Sequence, residues 1–221
     1  SEGRVIACET IGSVQPLLGN VTNAEFAASM GADILLLNLF DVQQPVIHGL
    51  PPVEPGETIR LLKKLTGRPI GINLEPVADD AEIETDPMWA MSAGRRATVE
   101  NALRAKKQDI ASFVEAGADI ILLPAPGTVP GITQEYAQRL ITCAHQHGAL
   151  TITSIGTSQE GADTDTIKRI ALMCKMAGTD IHHLGDTGYF GMALPENIMA
   201  YSIAVRGVRH TYHRMACSIA R

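Results

Sequence analysis

Side chains that can bind metal ions or move protons stand at the ends of several apolar runs in this 221-residue chain. They are, in chain order, Glu9, Asn38, Asn73, Glu75, Ser154, His182, His183 and Asp186. If the runs are parallel strands of a barrel, their carboxyl ends meet at one edge, and these side chains converge on one rim. Carboxylates and an imidazole at such a rim indicate proton transfer beside a bound cation.

The carboxylates are the predicted metal ligands. Residues two apart share a face of a strand, so alternation turns Glu9 inward together with Glu75. A charged glutamate facing inward is costly to desolvate unless it meets a partner. Glu9, Glu75 and Asp186 are therefore predicted to hold a divalent cation, Mg²⁺ or Mn²⁺, through hard oxygen ligands. The alternative is that each pairs with an arginine, such as Arg68 or Arg206, or caps a loop.

Two adjacent histidines lie on the last predicted strand. Neighbours on a strand point to opposite faces, so only one of His182 and His183 can face inward. The inward one, with Glu75 and Asp186, is a candidate catalytic residue that abstracts a proton beside a carbonyl. The competing interpretation is a core histidine with both ring nitrogens hydrogen-bonded.

Glycine-rich loops after the last two predicted strands are the candidate anion sites. Gly185, Thr187 and Gly188 lie in one loop, and the other combines Ser154, Gly156 and Thr157. Glycines let backbone N–H groups converge on a phosphate, and a helix beginning near Pro195 would point its amino terminus at the site. Asn38 and Asn73 would add amide contacts to the substrate. The alternative is that the glycines only form tight turns.

A second motif favours a different enzyme class. Asp163-Thr164-Asp165-Thr166 matches the Asp-x-Asp-x-Thr pattern of haloacid-dehalogenase-type phosphatases. In that family the motif directly follows a strand, whereas here seven residues, 156–162, intervene. A helical pattern begins at once, so Asp163 or Thr164 is more simply interpreted as a helix N-cap.

The elements that must position these residues form a repeated pattern. Gly31-Ala32-Asp33, Gly117-Ala118-Asp119 and Gly178-Thr179-Asp180 each follow a helical stretch and precede an apolar run, as joints between helix and strand do. Strands are predicted at residues 4–9, 33–40, 69–75, 119–123, 149–154 and 180–184. Helices are predicted at 23–30, 55–65, 97–116, 133–147, 164–177 and 195–206.

Helices alternating with apolar strands predict an α/β fold in one domain spanning residues 1–221. A (β/α) barrel of the TIM type is favoured, complete or reduced to six or seven strands, since a full barrel takes about 250 residues. Residues 208–213 are either a seventh strand or a polar helix. Residues 78–95 form a loop insertion, either a lid or a surface loop. An open doubly wound sheet is the alternative, but its Gly-x-Gly-x-x-Gly turn is absent.

The Gly-Ala-Asp joints, the Asn73-Leu74-Glu75 strand end and the late glycine loops resemble those of phosphate-binding (β/α)8 barrels. That group includes small aldolases, epimerases and relatives of phosphoenolpyruvate mutase. The resemblance implies an active site at the carboxyl ends of the strands and a phosphorylated substrate. It does not extend to Schiff-base aldolases, since no predicted strand contains a lysine, nor to isocitrate lyase relatives, whose Lys-Lys-Cys-Gly-His signature is missing.

The composition of the chain argues against some classes of binding partner. A net charge of −6 argues against nucleic acid as a ligand, and no run approaches the ~18 apolar residues of a membrane span. Four cysteines without CxxC spacing are typical of reduced thiols, so a cytoplasmic location is expected. Exposed strand edges in a reduced barrel would favour a homo-oligomer.

The sequence therefore predicts a metal-assisted lyase or isomerase that acts on a small phosphorylated or carboxylated metabolite through an enolate. One alternative is a non-catalytic barrel that binds phosphate or a metabolite for regulation. The other is the phosphatase suggested by Asp163.

Overall fold

Parallel strands form the centre of the protein. The computed structural model describes residues 2–41, 44–73, 75–76, 96–97, 118–156 and 158–217. Within these ranges lie the strands β1 (Val5–Ile11), β2 (Ile34–Asn38), β3 (Ile70–Ile72), β4 (Glu75–Pro76), β5 (Arg96–Ala97), β6 (Ile120–Pro124), β7 (Leu150–Ile155) and β8 (Ile181–Leu184). Each of the six predicted runs contains a strand.

The order of the strands is that of a barrel. Six of them form one parallel sheet in the order β3-β2-β1-β8-β7-β6, and β4 pairs with β5 in a separate parallel pair. Each strand of the larger sheet thus lies beside its neighbours along the chain, and β8 returns to pair with β1. A doubly wound sheet places an early strand of its second half beside β1 instead. The fold is an α/β half-barrel, as the sequence predicts for an incomplete TIM-type barrel.

Within the described residues, five α-helices follow the strands. They are α1 (Asn23–Ser29), α2 (Thr58–Thr66), α3 (Gln134–Gln146), α4 (Thr164–Ala177) and α5 (Pro195–Ala216). Their contacts run α2-α1-α5-α4-α3, which repeats the order of the strands they cover. None of the described helices is long and apolar enough to cross a membrane.

The main hydrophobic core lies between the sheet and these helices. Cys8 and Leu35, which are paired in register on β1 and β2, are fully buried there beside Tyr201 of α5. Because strand residues alternate between faces, Glu9 and its register partner Leu36 point to the other side, into the barrel. Leu36 is also in register with Gly71 on β3, so the inward phase predicted from alternation is confirmed for these three strands.

Two of the three predicted joints have the expected geometry. Gly31 and Gly178 have φ values of 111° and 96°, which a residue with a side chain rarely adopts. The Asp33 carboxylate then accepts the Ile6 N–H at 2.9 Å, and the Asp180 carboxylate accepts the Thr151 N–H at 2.8 Å. Each aspartate therefore ties its own strand to the beginning of the neighbouring one. Gly117 lies outside the described residues.

Of the two alternatives left open for residues 208–213, the structure has the helix. Residues 208–213 are helical, because α5 continues to Ala216 across a non-helical Gly207 with φ 78° and ψ 165°. No seventh strand forms there, and β8 pairs with β1 directly. The bend brings Arg214 to within 2.6 Å of Asp33, whose other oxygen lies 2.7 Å from Arg206. The predicted insertion at 78–95 and nearly all of the predicted helix at 97–116 lie outside the described residues.

Candidate active site

His183 and Ser154 form a polar pair on the inner face of the sheet. The two residues are in register on β8 and β7, and the Ser154 Oγ lies 2.8 Å from the His183 Nδ1. His183 is 4% exposed, and burial lowers its pKa from 6.5 to about 4. The ring is therefore neutral at pH 7, so it can accept a proton from a bound molecule.

His182 faces the core, so of the two phases left open for the histidine pair the structure has the one that turns His183 inward. It points toward α5, where its Nε2 lies 3.0 Å from the Gly3 carbonyl oxygen and its Nδ1 lies 3.0 Å from the Tyr201 hydroxyl. A carbonyl oxygen can only accept, so Nε2 donates and Nδ1 accepts from Tyr201. Burial lowers the pKa of His182 to about 4, and the neutral ring has both nitrogens bonded in the core.

Asp186 and Asn38 meet at the carboxyl ends of β8 and β2. The Asn38 Nδ2 donates to Asp186 Oδ2 at 2.9 Å, and the Gly188 N–H donates to Asp186 Oδ1 at 2.8 Å. Asp186 is 8% exposed, so its carboxylate is held in one place by a side chain from another strand and by its own loop. The sequence predicted both residues at the rim, and the structure joins them.

Glu9 and Asn73 form a second amide–carboxylate pair on the inner face. The Asn73 Nδ2 donates to Glu9 Oε1, which links β1 to the segment that follows β3. Glu75 begins β4 in register with Arg96, but its side chain lies outside the described part of the structure. The described residues contain no group of three or more His, Cys, Asp or Glu side chains placed to hold a metal ion. The predicted site of Glu9, Glu75 and Asp186 therefore stays a prediction.

The late glycine loop already uses much of its donor capacity. The Gly185 N–H donates to the Ile155 carbonyl at 2.8 Å, and the Thr187 N–H donates to Glu160 Oε1 at 3.1 Å. With the Gly188 N–H bound to Asp186, three backbone donors of the loop are bonded within the chain. The Thr187 hydroxyl also lies within 2.7 Å of two carbonyl oxygens, those of Asp186 and Met192. Phosphate binding by Gly185, Thr187 and Gly188 stays a prediction, and it requires donors other than these.

The second predicted anion loop is described only in part. Gly156 is exposed, and a Cβ built on it would lie 3.3 Å from the Ser154 Oγ. Thr157 lies outside the described residues. Ser154 is therefore the one hydroxyl of this set that the structure places on the inner face.

Glu160 is a buried acidic residue that sequence reasoning missed. It lies in a short 3₁₀ turn, Gln159–Gly161, is 4% exposed, and packs its carboxyl group against Gly185. Its Oε2 is buried without a hydrogen-bond partner. Burial raises the pKa of Glu160, and the negative charge of Asp186 raises it further. The sequence feature that could have indicated it is a single glutamate between Gly156 and Gly161, in the loop that follows β7.

Asp163 is an N-cap, as the preferred interpretation of its motif predicts. Its Oδ1 accepts the N–H groups of Asp165 at 3.0 Å and Thr166 at 2.9 Å, and the Thr166 hydroxyl donates to its Oδ2 at 3.0 Å. These bonds, with the Thr166 N–H first, lower the pKa of the exposed carboxyl group. Since both oxygens are bonded at the start of α4, the arrangement does not favour a nucleophile.

The solved structures that are similar to this chain include three enzymes whose names contain a phosphate compound. Thiamine phosphate pyrophosphorylase from Pyrococcus furiosus is 12% identical over 92% of this chain and 96% of its own, with a TM-score of 0.49. The (S)-3-O-geranylgeranylglyceryl phosphate synthase from Thermoplasma acidophilum is 14% identical over 93% and 94%, with a TM-score of 0.45. Orotidine 5'-phosphate decarboxylase from Pyrococcus horikoshii is 16% identical over 92% and 100%, with a TM-score of 0.34.

The assignment of the fold as a barrel rests on the order of the strands in the sheet. No curated protein matches the chain. A family model described as a domain of unknown function, DUF7916, matches residues 1–111 and again residues 105–221. The two matches together span the whole chain, which therefore belongs to the DUF7916 family.

Proposed function

We propose that this protein is a metal-assisted lyase or isomerase that acts on a small phosphorylated or carboxylated metabolite through an enolate. One observation carries the proposal: a neutral histidine and two amide-bound carboxylates, His183, Glu9 and Asp186, occur together at the carboxyl end of the inner face. General bases and cation ligands are commonly arranged in this way in barrel enzymes.

His183 would move the proton. With the Nδ1–H donating to the Ser154 Oγ, Nε2 is the unprotonated nitrogen, so it would take the proton from the carbon beside a substrate carbonyl and leave an enolate. An imidazole with a pKa of about 4 is a weak base in the free protein. A negatively charged substrate beside it would raise that pKa toward neutrality, because opposite charge favours the protonated ring. In an isomerisation the proton would then return to another carbon of the substrate. In a lysis His183 would instead take the proton of a hydroxyl group on the carbon that separates, which would leave as a carbonyl compound while the electrons of the broken carbon–carbon bond form the enolate.

Glu9 and Asp186 would hold the cation together with Glu75. A divalent cation, when bound, supplies positive charge that stabilises the enolate oxygen. Asn73 and Asn38 would orient the two carboxylates, as hydrogen-bonded residues behind metal ligands do. The acidic rim also supports a cation in another way, because an anionic substrate would otherwise be repelled by Glu9 and Asp186.

A regulatory barrel without catalysis is the second candidate. The observation that favours it is the internal use of the loop donors, since Gly185, Thr187 and Gly188 already donate within the chain. Such a protein would bind its metabolite at the same rim and would not need the cation. Self-association and a cytoplasmic location also stay predictions, and light scattering on the purified protein would check the first of these.

A thermal-shift titration tests the proposal. Mg²⁺ or Mn²⁺, with phosphorylated sugars and keto acids, should raise the melting temperature of the wild type. Glu9→Gln and Asp186→Asn should remove the metal-dependent part of that rise. Glu135→Gln is the matched control, because Glu135 lies on the exposed side of α3. Equal metal stabilisation of all four proteins, or none in the wild type, would contradict the proposed cation site.

A further inference from the structure

Three arginines and one carboxylate lie together at the amino end of the sheet, opposite the candidate active site. Asp33, the residue before β2, lies 2.7 Å from Arg206 and 2.6 Å from Arg214, both on α5. Arg68, two residues before β3, donates from its Nη2 to the Arg214 carbonyl oxygen at 3.2 Å. Among the described residues, Asp33 is the one carboxylate within salt-bridge distance of these three arginines.

Arg206 is enough to balance the charge of Asp33. Each nitrogen of its guanidinium group is used within the chain: it donates to Asp33, to the Ser202 hydroxyl and to the carbonyl oxygens of Gly31 and Arg4. The side chain is 6% exposed, so this arginine is a fixed part of the fold. The positive charges of the other two arginines are then left without a negative partner in the described part of the chain.

Arg68 is a buried cation with an unused donor. The residue is 8% exposed, and its Nε is buried without a hydrogen-bond partner among the described residues. Burial lowers the pKa of Arg68, and the positive charge of Arg214 lowers it further. A guanidinium group nevertheless stays protonated in proteins. Because a buried charge is costly to desolvate unless it is paired, an anion beside Arg68 would stabilise the cluster.

Arg214 offers a second donor and a path to solvent. Its Nε lies 2.6 Å from Asp33 Oδ1 but makes no hydrogen bond, so this contact is an ion pair in which the N–H is not directed at the oxygen. The Arg214 side chain is 32% exposed, four times the value for Arg68 as a residue. A small ion can therefore approach Arg68 from the side on which Arg214 lies.

We propose that Arg68 and Arg214 form an anion site that binds a phosphate group at the amino end of the sheet. A phosphate ester carries about 1.5 to 2 negative charges at pH 7, which matches the two positive charges left after Arg206 has balanced Asp33. A single carboxylate would leave one of them unbalanced. Planar guanidinium groups also bind phosphate oxygens with two parallel hydrogen bonds. The site lies at the other end of the strands from His183 and does not depend on the proposed function.

A thermal-shift titration with inorganic phosphate, in the presence of EDTA, tests the site. Phosphate should raise the melting temperature of the wild type in a saturable way, beyond the effect of sodium chloride at equal ionic strength. EDTA removes the divalent cations that the candidate active site is proposed to need. Arg68→Gln should weaken phosphate binding about tenfold or more, because hydrogen bonds to a charged group are lost. Arg169→Gln is the matched control, since it removes the same charge from an exposed residue of α4.

Arg214→Gln keeps the test valid if Arg68→Gln does not fold. It changes a more exposed side chain and leaves Arg206 bonded to Asp33, so the fold should be kept. Phosphate binding should weaken in this variant as well. Methyl phosphate is titrated beside inorganic phosphate. Binding of both indicates that the phosphate group of a larger molecule fits the site, and binding of inorganic phosphate alone indicates an enclosed free ion; either result supports the site.

Three results would overturn the proposal. The first is the lack of a saturable phosphate effect in the wild type. The second is a phosphate affinity in Arg68→Gln and Arg214→Gln equal to that of Arg169→Gln. The third is phosphate binding that is lost in His183→Gln but kept in the Arg68 and Arg214 variants, since the phosphate would then lie at the carboxyl end of the strands.

Discussion

Ser154 and His183 lie side by side on neighbouring strands, and their side chains meet at 2.8 Å on the inner face of the barrel. The next residue back, His182, points the other way and is bonded to Tyr201 in the core. Two identical side chains in succession thus have different environments, although burial lowers the pKa of both.

Acid should destabilise the protein through both histidines. Their pKa values are lowered to about 4 in the folded chain, whereas an unfolded chain binds the same protons near pH 6.5. The unfolded state therefore takes up more protons as the pH falls from 6.5 toward 4, and stability is lost over that window. The loss should approach about 3 kcal/mol per histidine at pH 4.

Urea unfolding at several pH values measures how steeply the free energy of unfolding depends on pH. His183→Gln and His182→Gln should each reduce the number of protons taken up on unfolding by about one, and the His182 variant should be less stable than the wild type at pH 7 because a core contact changes. The control is His210→Gln, which alters an exposed ring. An unchanged slope in both variants would show that the histidines are protonated as readily in the folded protein as in the unfolded one.

Glu160 should act on stability in the opposite direction. Its pKa is raised by burial, so the folded protein favours the protonated acid, and ionisation as the pH rises above about 4.5 lowers stability. Glu160→Gln keeps an acceptor for the Thr187 N–H and removes the charge. It should therefore lose less stability than the wild type between pH 4.5 and pH 8. Parallel curves for Glu160→Gln and the wild type, with Glu135→Gln as reference, would contradict the raised pKa.

Gly185 should not tolerate a side chain. A Cβ there would lie 2.8 Å from the Ile155 carbonyl oxygen and 3.2 Å from the carboxyl group of Glu160. Backbone on one side and a buried carboxyl on the other leave little freedom to adjust, so Gly185→Ala should cost about 1–3 kcal/mol. Gly56→Ala is the control, because a Cβ there meets nothing within 4 Å. Equal unfolding midpoints for the two variants would show that the loop adjusts without cost.

Asp163→Asn separates a cap from a nucleophile. Asparagine caps helices about as well as aspartate, so the melting temperature should fall by no more than a degree or two, whereas Asp163→Ala should lower it by a few degrees. Hydrolysis of a generic phosphate ester by the wild type, and its loss in Asp163→Asn with the fold intact, would support a phosphatase. Both variants would be assayed beside Asp165→Asn.

The features that could be predicted from the sequence, namely the strand faces and the positions of the strands, are those that depend on local periodicity. Alternation placed Glu9 and Asn73 on one face, and the glycine joints located the strands, because both are set by a few neighbouring residues. It could not choose between His182 and His183, since the choice depends on Tyr201, nineteen residues further along the chain. Glu160 was missed for the same reason: its burial follows from Gly185 and Asn197, which reach it only after β8 has joined the sheet.

The pairing of β8 with β1 also governs how the chain can fold. Arg206 and Asp33, which are joined at 2.7 Å, are 173 residues apart in sequence, so the closing contacts have a high contact order. During synthesis, β1 keeps one unpaired edge until nearly all of the described chain has emerged. An edge of that kind can pair with other chains, so slow refolding and concentration-dependent aggregation are the expected kinetic cost of joining the first strand to the last.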